Sequence, residues 1–516
     1  MNHIAFSGII FFMFTITVVS QTNASLVPNE PSKAPDYFCT WNIQGYVVNQ
    51  KSTAGSRMAM TESNMFGDGT YQDWLGFYPK IRKDLFFVMD DSWDIPPDEI
   101  SKQGPTFGLV ELNQERFPSF KGTPTERLTK IVDAVKAKGW KGLGGWICAQ
   151  EAPIAGKVDP VSYWAERLKT ANKAGFAYWK VDWGKQSRNM EWRKMLTTLG
   201  HTYAPGLVIE HAFDGEPIEF SDTYRTYDVE NIIAQPVTIQ RIADLLKYKA
   251  QGGAKGIINC EDEPYIAAGL GCAIGIMRYP FADKLPNNDT DHVFPPVGRD
   301  IKHRLDEVVR GVRWHRIAVP FGVGSTNYSI DTAELHDYWV LGADETWMKS
   351  RKIGDTLRVD APAVVSRGLP LAKVIDPTSK RPFVLSSMYP NGAVAIVTIG
   401  RGLNHEYITE RVDVKQNIES LDNPIGIFGD YGSLTLVLPT KIKASDYEVL
   451  AQDLAGDKPL VITKDIVFSE NEIIISGNVI RKVGLSAASK GDVSDPGMVL
   501  KFSRKNSAGI SPSKDQ

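Results

Sequence analysis

Eight short apolar runs, separated by stretches with helical periodicity, occupy the chain from residue 35 to about residue 321. Strands of a parallel sheet are covered on both faces, so they are apolar along their whole length, as these runs are. The runs span residues 38–43, 85–89, 143–148, 177–181, 207–210, 223–227, 256–259 and 273–277. Helical patterns lie between them at 125–138, 161–174, 191–199 and 239–251. Eight strands alternating with helices over roughly 290 residues predict a (β/α)8 TIM barrel.

A doubly wound open sheet is the competing architecture for such an alternation, and it commonly carries a glycine-rich phosphate loop. The sequence contains no G-x-G-x-x-G motif. The glycines at 142, 144 and 145 lack the lysine or serine that completes a phosphate loop, so they indicate close packing between strands.

From about residue 324 the apolar pattern changes to an alternation of period two, interrupted by Gly, Asn, Asp and Pro. The alternating runs are 338–341, 383–388, 393–399, 434–438, 447–450, 460–468 and 471–475. This pattern predicts an antiparallel β-sandwich. We therefore expect a barrel at 35–322, closed by a charged helix at 299–314, then a sandwich at 323–502 and a disordered polar tail at 503–516.

The first 25 residues indicate export. No charged residue occurs between Ile4 and Ser20, and small residues follow at 23–25, although the amino end carries His3 instead of Lys or Arg. We interpret 1–25 as a signal peptide, with a retained anchor helix as the alternative, and expect a periplasmic or secreted protein. No later stretch could span a bilayer, so no stable membrane insertion is expected after cleavage.

The overall composition limits which classes of partner are expected. The 516 residues are 42% apolar and 23% charged with a net charge of -3, typical of a globular protein of two or three domains. Because no basic stripe is present, no nucleic-acid partner is expected. The oligomeric state is left open. The cysteines show no metal spacing and are expected to be buried free thiols, with one disulfide left open: Cys39, Cys148, Cys260 and Cys272.

Polar and aromatic residues gather where the predicted strands end. Asp182 follows the fourth run after Lys180, and Asp90 and Asp91 follow the second; a helix cap is the alternative explanation for Asp182. Carboxylates hold sugar hydroxyls and indole rings cover the apolar face of a pyranose, so this combination predicts a carbohydrate site at the carboxyl ends of the strands. The strand-end residues are Trp41, Asn42, Asp90, Asp91, Trp93, Trp146, Gln150, Glu151, Lys180, Asp182, Trp183, Glu210, His211, Asp214, Arg225, Asp228, Glu230, Glu261, Asp262, Glu263 and Arg278.

Four of these strand ends, in the same order, resemble those of the α-galactosidase clan of retaining glycoside hydrolases, the melibiase-like barrels. The segment 178–182 (YWKVD) is similar to the clan's K-x-D nucleophile strand, and 89–93 (MDDSW) to its D-D-x-W strand end. The segment 40–42 (TWN) resembles the first-strand W-N, and 224–228 (YRTYD) the strand that carries an Arg and the acid/base Asp. The clan also has a β-sandwich after its barrel.

The resemblance implies an exo-acting retaining α-glycosidase that hydrolyses a terminal α-linked sugar of an oligosaccharide or polysaccharide by double displacement. It assigns the nucleophile to Asp182 and the general acid/base to Asp228. Lys180 would help keep Asp182 ionised. No cofactor and no metal are implied. Glu210 and His211 would bind substrate by reading the sugar's 2-position. The other substrate-binding residues would be Trp41, Asp90, Asp91, Trp146, Lys180 and Arg225.

The sequence also departs from the clan. Eukaryotic-type members carry cysteines at the places held here by Ser92, Trp183 and Gly184, so their usual disulfides are absent. The spacing from Arg225 to Asp228 is tight, which leaves Glu230 as a rival acid. The glycone is left open between galactose, N-acetylgalactosamine, arabinopyranose and glucose.

Two other functions compete with hydrolysis. A non-catalytic carbohydrate-binding barrel would explain the aromatic residues. A metal-dependent aldolase or isomerase would explain His211 beside Asp90, Asp91 and Asp182, although no H-x-H or H-x-x-x-H spacing supports a metal site. The acidic segment 261–263 is interpreted as a solvated loop that opens the helix after Pro264.

Overall fold

A computed structural model of the chain describes residues 24–47, 53–67, 72–96, 109–152, 158–212, 216–226, 232–248, 255–280, 303–342 and 352–505. Within this part, eight parallel strands follow one another around a closed barrel, and the first pairs with the last. The strands are Tyr37–Cys39 (β1), Phe86–Met89 (β2), Gly142–Ile147 (β3), Tyr178–Val181 (β4), Val208–His211 (β5), Thr223–Arg225 (β6), Ile257–Glu261 (β7) and Ala273–Ile276 (β8). The predicted (β/α)8 barrel is confirmed.

Helices connect the strands and begin where the sequence places capping residues. Thr123 caps a helix with a reciprocal hydrogen bond from Glu126, and Asp159 and Asn189 cap the next two. The helices are Trp41–Val47 (α1), Thr53–Met58 (α2), Glu62–Phe66 (α3), Pro124–Ala137 (α4), Pro160–Ala174 (α5), Met190–Tyr203 (α6), Ala234–Leu245 (α7), Pro264–Leu270 (α8), Leu305–Ile317 (α9) and Gly477–Gly484 (α10). Short 3₁₀ helices occupy Trp74–Gly76, Arg82–Asp84, Glu216–Glu219 and Ala444–Asp446.

Several predicted boundaries are corrected. The first strand ends at Cys39, because the residues from Trp41 onward turn into α1 instead of extending the strand to residue 43. Helix α7 begins at Ala234, five residues before the predicted start, because its first turns already bury side chains that include Gln235 and Thr238, which the apolar pattern does not mark. Helix α9 begins at Leu305 and continues to Ile317, past the predicted end at 314.

The described C-terminal region forms three sheets. The strands are Tyr328–Ile330 (β9), Glu334–Val340 (β10), Thr356–Pro362 (β11), Val364–Arg367 (β12), Lys373–Ile375 (β13), Phe383–Met388 (β14), Val394–Ile399 (β15), Arg401–Leu403 (β16), Glu406–Ile408 (β17), Asp413–Asn417 (β18), Ile425–Phe428 (β19), Ser433–Val437 (β20), Tyr447–Asp453 (β21), Leu460–Val461 (β22), Val467–Ser469 (β23), Glu472–Ser476 (β24) and Gly497–Arg504 (β25). Their orders in the three sheets are β11-β10-β16-β17, β22-β21-β25-β19-β15-β14-β12-β9 and β13-β18-β20-β24-β23.

This domain matches the predicted β-sandwich, with three differences in detail. The sheets are mixed, since β12 with β14, β15 with β19, β18 with β20 and β10 with β16 pair in parallel. The run predicted as one strand at 460–468 is two strands, β22 and β23, in different sheets. Strand β25 reaches Arg504, two residues into the predicted tail, because those residues pair with β21. Residues 506–516 lie outside the described part.

The sandwich packs against the flank of the barrel formed by α8 and α9. Arg367 Nη1 donates a hydrogen bond of 2.6 Å to the carbonyl of Leu270, and Tyr389 donates one of 2.7 Å to Ala268. Arg310 of α9 forms a fully buried ion pair of 2.9 Å with Asp453. These contacts tie the two domains through buried polar groups, so the sandwich covers the side of the barrel along α8 and α9.

The four cysteines are free and buried, as expected. Of the predicted signal peptide only Ala24 and Ser25 belong to the described residues. Across the ranges that the structure describes, none of the helices combines the length and the apolarity needed to cross a membrane.

Candidate active site

A cavity of about 170 Å³ opens at the carboxyl ends of the barrel strands. Barrel enzymes place their chemistry at this end, because the loops after each strand can carry side chains into a shared space. The residues that line the cavity come from seven of the eight strand ends, all except that of β5, and include seven of the predicted site residues. They are Trp41, Asn42, Asp90, Asp91, Trp146, Lys180, Asp182, Trp183, Arg225, Glu261 and Met277.

Asp182 directly follows β4 and lies among donors and cations. Trp146 Nε1 donates a hydrogen bond of 3.0 Å to its Oδ2, Lys180 Nζ lies 3.9 Å from the same oxygen, and Arg225 Nη2 lies 3.0 Å from Oδ1. The N–H groups of Arg225 do not point at Oδ1, so this contact is an ion pair without an aligned hydrogen bond. Burial opposes ionisation, but Arg225 and then Lys180 outweigh it and hold the pKa of Asp182 below its usual value.

Lys180 pairs more closely with Asp90 than with Asp182. Its Nζ lies 2.7 Å from Asp90 Oδ2, which also accepts a hydrogen bond of 2.8 Å from the Cys39 thiol. The backbone N–H of Asp91 donates to the other oxygen of Asp90 at 2.8 Å. Burial lowers the pKa of Lys180, but Asp90 raises it by more, so the ammonium is charged. The pair presents one cation and one anion to the cavity.

The chain turns sharply after β2, as the adjacent acids require if both are to reach one cavity. Ser92 has φ of 85°, in the left-handed region that a serine seldom adopts. Such strain persists only where surrounding contacts hold it, and it occurs often at functional sites. Here Ser92 Oγ donates to Asp91 Oδ1 at 2.9 Å, while Arg57 of α2 pairs with Asp91 Oδ2 at 2.8 Å. Burial raises the pKa of Asp91 to about 6 despite Arg57.

Three tryptophans form part of the cavity wall. Trp146, at the end of β3, is buried and donates to Asp182. Trp183 lies beside it with ring centroids 5.7 Å apart, and the Arg57 guanidinium sits 5.3 Å from the centre of the Trp183 ring. Trp41 begins α1 on the first strand's side of the cavity. Indole surface on two sides of a cluster of carboxylates is suited to binding a sugar ring.

Arg225, at the end of β6, faces three carboxylates. Besides Asp182, its Nε lies 3.5 Å from Glu261 Oε1 and 3.9 Å from Glu210 Oε1. All four side chains are nearly inaccessible to solvent. Burial lowers the pKa of Arg225, but Asp182 and then Glu261 raise it well above its usual value. The guanidinium therefore links Asp182 and Glu261, which line the cavity, to Glu210 beneath it.

Glu210 is not where the sequence predicted it. It is absent from the cavity wall and lies deeper in the barrel, because its position on β5 points it inward. Tyr178 donates a hydrogen bond of 2.7 Å to its Oε2 and Asn259 donates one of 3.0 Å. The structure places Glu210 beneath the cavity, and its predicted reading of the sugar's 2-position stays a prediction. Burial raises the pKa of Glu210 to about 7.

Glu210 should make the stability of the folded chain depend on pH. Its raised pKa means that the folded chain binds this proton more tightly than the unfolded chain, whose value is near 4.5. The resulting stabilisation is fully present below about pH 4.5 and is lost as the pH rises through about 7. The Gln of E210Q binds no proton. Between pH 4.5 and 8 the wild type should therefore lose about 3 kcal/mol of its free energy of unfolding that E210Q does not lose. Urea unfolding of both proteins across this range measures the difference. A difference that stays constant with pH would refute the assignment.

His211 also lies away from the cavity, so the structure does not bring it to the predicted substrate site. Alternation along β5 turns its side chain outward, opposite to Glu210, toward α6. There its Nδ1 is 2.9 Å from Arg193 Nη1 and its Nε2 is 2.8 Å from Thr197 Oγ1. Burial, and then Arg193, hold the pKa of His211 well below its usual value, so the ring is neutral. Arg193 in turn donates to the carbonyl of Asp182 at 2.9 Å, which fixes the backbone at the site.

The acidic segment after β7 is not the solvated loop that the sequence suggested. All three of its residues are buried. Glu261 lines the cavity, Asp262 accepts a hydrogen bond of 2.8 Å from the backbone of Met277, and Glu263 lies 3.7 Å from Arg304. Sequence reasoning missed Glu261 as a site residue. Like the predicted site acids, Glu261 follows an apolar strand. Because two more acids follow within two residues, the segment resembles a solvated surface loop.

The predicted general acid, Asp228, its rival Glu230, and Asp214 lie outside the described residues. Their separation from Asp182 therefore stays a prediction.

No described group of three or more His, Cys, Asp or Glu side chains is arranged to hold a metal ion. His211, the proposed nitrogen ligand of the metal hypothesis, contacts Arg193 and Thr197 of α6 and cannot share an ion with Asp90 and Asp182 in this arrangement.

No family model matches the sequence, and no curated protein matches it. Solved structures similar to this chain include α-galactosidase I from Mortierella vinacea, with 13% identity, coverage of 91% of this chain and 96% of that chain, and a TM-score of 0.37. They also include a GH27 β-L-arabinopyranosidase from Geobacillus stearothermophilus in complex with arabinose, with 9% identity, coverage of 91% and 97%, and a TM-score of 0.38. An α-amylase from Geobacillus thermoleovorans complexed with acarbose has 8% identity, coverage of 92% and 100%, and a TM-score of 0.42. At such identities a likeness concerns the fold alone, and function has to be inferred from the side chains of the site.

Proposed function

We propose that the chain is a retaining exo-acting α-glycosidase, similar to α-galactosidases, that releases a terminal α-linked sugar by double displacement. The observation that carries this proposal is the environment of Asp182. It is a carboxylate at the end of a barrel strand, in contact with Arg225 at 3.0 Å and with the Trp146 indole at 3.0 Å, on the wall of a cavity. A carboxylate held ionised in that setting is equipped to act as a nucleophile.

In the proposed reaction Asp182 attacks the anomeric carbon while a second carboxyl group protonates the leaving glycosidic oxygen. The bond from the anomeric carbon to that oxygen breaks, and a glycosyl ester forms on Asp182. Water then attacks the same carbon, gives its proton to the second carboxylate and releases the sugar with its original configuration. Asp228 is proposed as that second group with Glu230 as its rival, and a retaining mechanism requires it about 5 Å from Asp182.

The size of the cavity supports action at a chain end. Its volume of about 170 Å³ is below the roughly 300 to 1,000 Å³ typical of sites for drug-sized ligands. One sugar ring suits such a space better than several. Lys180 with Asp90 would hold hydroxyl groups of that ring, since an ammonium donates and a carboxylate accepts. The indole of Trp183, beside Trp146, would cover an apolar face of it.

A carbohydrate-binding barrel without catalysis is the remaining alternative, and the charge state of Asp182 favours the hydrolase. A binding site needs acceptors for hydroxyl groups, which Asp90 and Asp91 already supply. It has no need of two buried cations around one further carboxylate. Placing Asp182 next to both Arg225 and Lys180 costs desolvation of three charges, which a catalytic role explains.

A panel of p-nitrophenyl glycosides tests the function directly. We expect hydrolysis of one or more of the α-galactoside, α-N-acetylgalactosaminide, α-glucoside and arabinopyranoside, with a first-formed product of unchanged anomeric configuration by proton NMR. Because the proposed chemistry uses carboxyl groups alone, prior treatment with EDTA should change kcat/KM by less than about twofold. An inverted product, or activity that disappears with EDTA and returns with a divalent metal, would count against the mechanism.

We also propose that the protein is exported and acts outside the cytoplasm on glycans, on the strength of the uncharged amino-terminal stretch between residues 4 and 20. Expression of the full chain with a C-terminal tag, followed by fractionation and amino-terminal sequencing of the mature protein, tests this proposal. Recovery of an intact amino terminus in the cytoplasm would contradict it.

A further inference from the structure

Glu261 is a buried carboxylate on the cavity wall for which neither the sequence pattern nor the proposed double displacement supplies a role. It ends strand β7, is 1% exposed and lines the cavity with Asp182 and Arg225. Acids of this kind are seldom buried without strong partners.

The described contacts of Glu261 are few and long, and both end on the same oxygen. Tyr37 Oη lies 3.3 Å from Oε1, and Arg225 Nε lies 3.5 Å from Oε1. The single proton of Tyr37 is shared, because Glu210 Oε1 lies 3.4 Å from the same hydroxyl. Among the described side chains and backbone groups, none donates a hydrogen bond to Glu261 Oε2. Glu261 Oε2 is not among the fully buried polar atoms that lack a hydrogen-bond partner, so it is reachable from the cavity.

The comparison with Asp90, on the same wall, makes the difference clear. Asp90 receives Lys180 and the Cys39 thiol on one oxygen and a backbone N–H on the other. Both oxygens of Asp90 therefore already accept a hydrogen bond from the protein, whereas one oxygen of Glu261 accepts none and is available to a donor that enters the cavity. Sugar hydroxyl groups are such donors, and the cavity has space for a single ring.

We propose that Glu261 is a sugar-binding residue that helps to determine specificity, its Oε2 accepting a hydrogen bond from one hydroxyl group of the glycone. This inference rests on the proposed function, since it requires that a sugar occupies the cavity. It adds a binding group on the seventh strand, opposite Lys180 and Asp90 of the fourth and second strands around the barrel. The glycone is thus held by acceptors from two sides, with the Arg225 guanidinium between Glu261 and Asp182.

The test measures binding and does not depend on turnover. Isothermal titration calorimetry of the full chain with free D-galactose, N-acetyl-D-galactosamine, L-arabinose and D-glucose gives the preferred sugar of the wild type. For that sugar, we expect E261A to raise Kd by about 10- to 100-fold, the range for loss of a hydrogen bond to a charged group. E261Q keeps the shape and an acceptor but loses the charge, so its Kd should rise by about tenfold or less.

Deoxy analogues of the preferred sugar identify the hydroxyl group. Removing the hydroxyl that Glu261 contacts should weaken binding to wild type but add no further loss in E261A, whereas removing any other hydroxyl should weaken both proteins equally. Glu263 supplies the matched control. It lies two residues further on, is equally buried beside Arg304 and is not on the cavity wall, so E263Q should bind the sugar as wild type does.

Each outcome decides the proposal. Circular dichroism and the melting temperature establish that both Glu261 variants are folded, with E261Q as the shape-preserving one. If the Kd of E261A lies within about twofold of that of wild type, the proposed role of Glu261 is overturned. It is also overturned if wild type binds none of the four sugars. If wild type binds a sugar, E261A does not, and no aryl glycoside is hydrolysed, then the hydrolase proposal fails while Glu261 stands as a binding residue.

Discussion

Replacing Asp182 with asparagine should lower kcat/KM for the best aryl glycoside by at least about 10³-fold, because the amide cannot form the glycosyl ester. The fold should survive. Asn has nearly the same shape, and both cations keep other carboxylates: Lys180 retains Asp90 at 2.7 Å, and Arg225 retains Glu261 at 3.5 Å. The measurement is steady-state kinetics on D182N and wild type, with melting temperatures compared in parallel.

Asp222 is the control for this substitution. It is also a buried aspartate of the barrel, but it accepts a hydrogen bond of 3.0 Å from the backbone of Ile209 and does not line the cavity. D222N should therefore lose stability without a comparable loss of kcat/KM per folded molecule.

Chemical rescue separates a nucleophile from a residue that only binds. In D182G the missing carboxylate leaves space beside the anomeric carbon, and added azide can attack in its place. We expect azide to restore part of the turnover of an activated aryl glycoside and to give a glycosyl azide of inverted configuration, because only one displacement then occurs. D182N with normal activity, or D182G rescued without any glycosyl azide, would remove Asp182 from the role of nucleophile.

Most of the barrel could be predicted from the sequence, because apolar runs and capping residues are local signals. The capping box at Thr123 and the turn at Gly175 fixed helix ends to within a residue or two. Errors occurred where tertiary packing overrides local pattern. The first strand stops at Cys39 although apolar residues continue, and the run at 460–468 is divided between two sheets.

For the site, the sequence predicts only which side of a strand each side chain points to. Alternation places Lys180 and Asp182 on the same side, and the structure brings both to the cavity. Glu210 and His211 are adjacent residues of one strand, so they point in opposite directions and cannot both reach the cavity. Depth in the barrel is a further property that sequence does not reveal, and it separates Glu261 at the cavity from Glu210 beneath it.

The second large effect is expected at the Lys180–Asp90 pair. K180M leaves Asp90 as an unpaired carboxylate in a site where its side chain is only 4% exposed. Removing one partner of a buried pair costs about 3 to 5 kcal/mol of stability, more than the pair itself contributes. The variant also loses a hydroxyl donor and one of the cations that keep Asp182 ionised, so kcat/KM should fall by about 10²-fold or more. Urea unfolding and steady-state kinetics measure the two effects.

The double variant K180M/D90N separates stability from function. Because it removes the orphaned charge as well, most of the lost stability should return. Activity should not return, since neither the ammonium nor the carboxylate remains to hold the sugar. R310M/D453N, which removes the buried pair between barrel and sandwich far from the cavity, should show no such loss of kcat/KM.

Two results would contradict this account of the pair. If K180M hydrolyses aryl glycosides as fast as wild type, the ammonium neither binds substrate nor supports Asp182. If K180M/D90N regains activity along with stability, the pair only fills space beneath a site whose sugar contacts lie elsewhere. A purely structural ion pair can be replaced by neutral side chains without loss of activity. If activity stays low after stability has been restored, the pair therefore has a role in binding and catalysis.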